Sequence, residues 1–141
     1  FRGRVKTRLL ERAARESLKH EGQAPGTNLT IVITNDANLR RLNEQFLRMD
    51  APTDVLSFPA GDIDPDTGEP YLGDVLISFP RAEAQAESAG HQVEEEVQLL
   101  VTHGILHLLG YDHAEPEGEK RMWRVQEEIL EALRGSRGPG G

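Results

Sequence analysis

The stretch VQLLVTHGILHLL (97–109) constrains this chain most. Coiled as an α-helix it is apolar on nearly every side, so it has no wide polar face to turn towards water. Such a helix has to be buried, and the rest of the chain has to be arranged around it. With 141 residues, 37% hydrophobic and 28% charged, the chain has the size and composition of one globular domain with one core. Gly110 follows directly and is the expected stop, because glycine takes the left-handed conformation that ends many helices.

The flanking segments fill in an α+β domain. Residues 4 to about 21 carry Val5, Leu9, Leu10, Ala13 and Leu18 at helical spacing. Leu29, Ile31 and Ile33 alternate as in a strand, and Asn35 or Asp36 can cap a following helix with Leu39, Leu42 and Phe46 on one face. TDVLSFP (53–59) reads as a strand stopped by Pro59, 61–70 as turn, and 71–80 as a second strand able to pair with the first as a hairpin. Helices are expected over 81–89, from about Val93 to Leu109, and over roughly 115–134, with Trp123 and Phe46 read as core. The order implies a single domain, 1–134, with a small sheet covered by helices, followed by a flexible tail, 135–141. The chain opens on Phe1 rather than Met, so further native residues are expected before it.

Composition excludes several chemistries. The absence of cysteine removes disulfides, thiolate metal sites and cysteine nucleophiles. It fits the cytoplasm. No apolar run approaches the ~18 residues needed to span a membrane. The net charge of −8 weighs against a nucleic-acid partner unless a local basic patch stands out from the acidic whole.

The buried helix carries chemistry as well. Of five histidines, three lie at His103, His107 and His113. A helix turns about 100° per residue, so His103 and His107 point the same way one turn apart. The bend at Gly110 can return His113 over the same point. Three imidazoles leave one position open on a metal ion, which is the catalytic arrangement, and an all-nitrogen donor set favours one zinc ion per chain, with other divalent metals left open. The spacing also matches the long zinc-protease pattern H-E-x-x-H-x-x-G-x-x-H, except that Gly104 stands where those proteases place their base. A peptidase lacking that Glu is therefore one alternative. The same glycine is read as clearing space beside the metal for a bulky substrate.

HGILHLLGYDH (103–113) resembles the signature of the YbeY family of bacterial ribosomal RNA maturation endoribonucleases. LNEQF (42–46), PTDVLSFP (52–59), LGDVLIS (72–78) and MWRVQEEIL (122–130) are similar to further blocks of that family, in the same order. The resemblance implies a metal-dependent, single-strand-specific endoribonuclease, usually with zinc, acting at the 3′ end of small-subunit ribosomal RNA and in ribosome quality control. It implies partners in ribosomal RNA, the ribosome and assembly factors, with no membrane. It also implies a mixed sheet of about four strands, with His103, His107 and His113 as ligands in a cleft. Two positions depart from the pattern. Leu47 stands where the family often has an arginine, with Arg48 one place later, and only Phe1–Gly3 precede the first helix, where the family usually has a strand.

On this reading Arg48 is the candidate to stabilise charge on the scissile phosphate, with Arg40 and Arg41 as backbone-binding helpers. Asp54 and Asp112 are candidates for general base, Asp112 also for a partner that holds a histidine ring. Ser57 is a candidate to line the cleft, and Tyr111 either stacks on a base or packs under the turn. Glu94, Glu95 and Glu96 suit the positive end of the helix dipole. A zinc-stabilised ribosome-assembly factor with little catalysis is the second alternative, favoured by the acidic charge and the lack of an obvious base.

Overall fold

A computed structural model of the chain describes residues 6–23, 26–35, 37–41, 55–63, 68, 70–111 and 116–135. In chain order these form α1 (Thr7–His20), β1 (Asn28–Thr34), a helical segment α2 at 37–41, β2 (Val55–Ile63), β3 (Pro70–Ser78), α3 (Phe79–Ala89), α4 (Val93–Leu108) and α5 (Pro116–Gly135). The strands form one mixed sheet in the order β1-β3-β2. β3 runs parallel to β1 and antiparallel to β2. The expected hairpin is present. The described residues contain three strands rather than about four, and Phe1–Gly3, where a strand would precede α1, lie outside them.

α4 is the buried helix that the sequence demands. It packs on β2 and β3 and is also touched by α1, α3 and α5. Val97, Leu100, Val101, Ile105 and Leu106 are at most 2% exposed. Each such side chain contributes roughly 1.5–3 kcal/mol by burial, whereas helix propensities of ordinary residues differ by under ~1 kcal/mol. Packing, not propensity, therefore places a Leu- and Val-rich helix at the centre. Gln98 Nε2 donates to the carbonyl of Leu9 at 3.0 Å, and Arg12 donates to the carbonyl of Leu133 at 3.1 Å. These bonds tie α1 to α4 and to α5.

Three local expectations change. β2 does not stop at Pro59 but continues to Ile63, with a register shift between Pro59 and Asp62. β2 is an edge strand, where a residue without an N–H is tolerated beside an irregularity. α3 begins at Phe79, not at 81, because the Ser78 hydroxyl accepts from the Arg81 N–H and Pro80 suits the first turn. Trp123 is not core: it is 49% exposed. The buried face of α5 is Met122, Val125, Gln126, Ile129, Leu130 and Leu133, and position 123 falls off that stripe. Phe46 lies outside the described residues.

The first strand and the helix ends follow the sequence. Leu29, Ile31 and Ile33 pack against the core, and Asn35 Oδ1 accepts from the Asn38 N–H at the start of α2. α3 ends at Gly90, with φ of 76°. No described helix is long and apolar enough to cross a membrane. The expected tail lies almost wholly outside the described residues.

Candidate metal centre

α4 holds His103 and His107 one turn apart and half-buried. Their Nε2 atoms are 3.2 Å apart, with ring centroids at 4.7 Å and planes at 75°. Two nitrogens bound at about 2.0–2.1 Å to one tetrahedral zinc ion stand roughly 3.3 Å apart, so the pair already has the separation that a shared ion requires. The opposite side of His103 has a polar partner. Its Nδ1 lies 2.9 Å from Oε1 of Gln126. With that oxygen as acceptor, Nδ1 carries the hydrogen and the Nε2 lone pair faces His107, in one of the two tautomers open to the ring. This is the ligand tautomer, held from behind as histidine ligands usually are.

Gln126 is 1% exposed, and its Nε2 has no hydrogen-bond partner among the described residues. Its oxygen is thus committed to the histidine although the other half of the amide goes unpaired. Sequence reasoning missed this residue. The readable signal was a polar side chain on the apolar stripe of α5, between Met122 and Ile129.

The helix ends as expected. Gly110 has φ of 101°, its N–H donates to the carbonyl of His107 at 3.1 Å, and the N–H of Tyr111 donates to the carbonyl of Leu106 at 3.0 Å. This double closure is the Schellman turn. Among the described residues no atom lies within 4 Å of a Cβ built on Gly110, and its positive φ is what calls for glycine there. Tyr111 then packs against the core, and its hydroxyl donates to Glu21 Oε1 at 2.6 Å. The Arg121 guanidinium lies 5.9 Å from its ring centroid. Burial, reinforced by the Glu21 hydrogen bond, pushes the Tyr111 phenol up to about 12. Of its two candidate roles, packing under the turn is the one these contacts support.

Gly104 has a different role from the one expected. A Cβ there would meet Cγ1 of Val75 at 2.6 Å and Oγ of Ser57 at 3.2 Å. The glycine lets α4 approach the sheet; the space it saves is taken by β3, not by a substrate. Ser57 donates to the Gly104 carbonyl at 2.9 Å, tying β2 to α4. Glu96 is 6% exposed and pairs with His91 at 2.7 Å, consistent with a structural place at the start of α4.

Arg40 and Arg41 are exposed on α2, and Arg41 reaches Asn38 Oδ1 at 3.4 Å. Arg48, Asp54, Asp112 and His113 lie outside the described residues. Among the described residues no three His, Asp or Glu side chains are grouped to hold a cation. His103 and His107 are a converging pair rather than a complete ligand set.

An α+β domain whose central helix presents paired imidazoles, backed by a buried amide and followed by a fixed turn, offers a cation two ring nitrogens. Comparison with known proteins specifies the class. The family model described as endoribonuclease YbeY matches residues 4–134. The chain is 42% identical over 137 residues to endoribonuclease YbeY of Acetivibrio thermocellus, covering 89% of this chain and 85% of that protein. It is 47% identical over 130 residues to endoribonuclease YbeY of Pelotomaculum thermopropionicum, covering 90% and 86%. The solution structure of TM1509 from Thermotoga maritima is similar, with a TM-score of 0.63 and 28% identity over 96% of this chain and 86% of that one. The chain belongs to the endoribonuclease YbeY family.

Proposed function

We propose that this chain, as a member of an endoribonuclease family, hydrolyses single-stranded RNA at a zinc centre held by His103, His107 and His113. The substrate is the 3′ region of small-subunit ribosomal RNA, cut in the bacterial cytoplasm during ribosome maturation and quality control. One observation carries the metal reading: the Nε2 atoms of His103 and His107 face each other at 3.2 Å while Gln126 holds the far side of His103. When bound, zinc supplies Lewis acidity towards a phosphoryl oxygen and lowers the pKa of water towards about 7.

The protein's own groups supply the rest. Arg48 offsets the charge that gathers on the phosphate, and Arg40 and Arg41 hold the neighbouring backbone. Asp54 or Asp112 takes the proton of the attacking oxygen. The partners on this reading are ribosomal RNA, the ribosome and its assembly factors.

The test uses a single-stranded ribosomal RNA fragment, its duplex form, and His107→Ala. The expected result is that single strands alone are cut, and that metal content and cleavage disappear together in the variant. Equal cleavage by metal-free wild type and by the variant would show that the reading is wrong.

A further inference from the structure

We infer that the outer face of the first half of α5 is a second contact surface for single-stranded RNA, with Trp123 stacking on a base and Lys120, Arg121 and Arg124 holding phosphates. This rests on the endoribonuclease reading and extends it to the strand beyond the cleaved bond.

Charge is the first argument. The chain carries 24 acidic and 16 basic residues, yet residues 120–126 (KRMWRVQ) contain three cations and no carboxylate. On the helix surface Glu117 neighbours Lys120 and Arg121, and Glu127 and Glu128 neighbour Arg124, at spacings of three and four. Among the described residues Lys120, Arg121 and Arg124 form no ion pair. The three line one open pocket together with Glu117. Phosphate binding requires such a local excess of cations inside an acidic protein.

The indole is the second argument. Trp123 is 49% exposed and, with Val32, is one of two large apolar side chains exposed among the described residues. It lies three positions after Lys120, on an adjoining flank of the helix. An exposed ring beside cations is the combination that binds single strands without reading sequence: bases stack on the ring and the chain of phosphates follows the charge. A protein partner is the poorer fit, because an interface core needs a cluster of apolar side chains, and among the described residues this face exposes one large ring.

Position is the third argument. Arg121 also lines the pocket formed with Glu21, Leu109, Gly110 and Tyr111. The basic face is therefore continuous with the turn that leaves the histidine helix.

The chain has one tryptophan, so its fluorescence reports this site alone. Metal-loaded full-length protein is titrated with a single-stranded RNA oligonucleotide. Saturable quenching is expected in wild type; in parallel, the anisotropy of a fluorophore-labelled RNA, which reads binding without the indole, should show about tenfold weaker binding in Trp123→Ala and recovery in Trp123→Phe. Lys120→Gln with Arg124→Gln should reduce the slope of log affinity against log salt by ~1.4, at ~0.7 per cation on a single strand. Metal content and melting temperature serve as the fold control in each variant. If RNA saturates and is cut while the emission stays unchanged and Trp123→Ala behaves as wild type, the inference fails and the nuclease reading survives. If Trp123→Ala loses only its binding to ribosomal particles and keeps its affinity for naked RNA, the face belongs to a protein partner and the inference also fails. If wild type neither binds nor cuts RNA, the nuclease reading fails and this inference goes with it.

Discussion

Oε1 of Gln126 lies 2.9 Å from Nδ1 of His103, across 23 positions of sequence. The bond selects which ring nitrogen of His103 is open to a cation. Gln126→Leu leaves the Nδ1–H unpaired, and metal affinity should fall roughly 10–100-fold, the usual effect of losing a partner behind a ligand. Gln126→Glu keeps an acceptor and should retain most of the affinity. Competition with a chromophoric chelator measures both, and wild-type affinity in Gln126→Leu would mean the bond is incidental.

Gly104→Ala tests the approach of α4 to the sheet. The new methyl would sit 2.6 Å from Val75 Cγ1, a side chain that is buried and stiff at χ1. Overpacking of this kind costs about 1–3 kcal/mol, against a gain of up to ~1 kcal/mol from alanine's helix propensity. A net loss in chemical denaturation is expected, with partial recovery when Val75→Ala is added. An alanine variant as stable as wild type would show that the contact yields freely.

His20 should give a pH-dependent contribution to stability. Its Nδ1 lies 2.9 Å from Glu21 and its Nε2 3.0 Å from Glu128. The Glu21 hydrogen bond, joined by Glu128, outweighs partial burial and holds the imidazole above its ordinary 6.5. A raised folded-state value favours the protonated form. The contribution is therefore fully present below the unfolded value and fades as pH rises through the folded one. The stability difference between wild type and His20→Gln, followed by thermal unfolding, should be larger on the acid side of this window and shrink on the basic side. A constant difference would contradict the ion pair.

Metal retention should fall below about pH 6, when free imidazoles take up protons in competition with the cation. Metal content after dialysis across an acid series measures it. Full occupancy at pH 4 would rule out histidine ligation.

These expectations differ in how far the sequence alone could carry them. α4 was legible because an all-round apolar helix can only be central, and Gly110 because one residue type ends helices in this way. The β2–β3 hairpin was legible from two short β-rich runs, and the His103–His107 pair followed from the helical pitch. What could not be read depended on neighbours distant in sequence. Gly104 looks like vacant space until Val75 is placed against it. Pro59 looks like a stop until β2 proves to be an edge strand. Trp123 was assigned to the core on residue type, although the stripe from Met122 to Leu133 excludes it. Gln126 meets the His103 ring from another helix, which no local pattern announces, whereas Asp112, the nearest carboxylate in sequence to a ligand, lies outside the described residues.

The helix that aims the imidazoles is also the one on which α1, α3 and α5 all lean. Heat cannot loosen the His103–His107 pair while sparing the scaffold, so parting of the two rings and collapse of the architecture should be a single cooperative event.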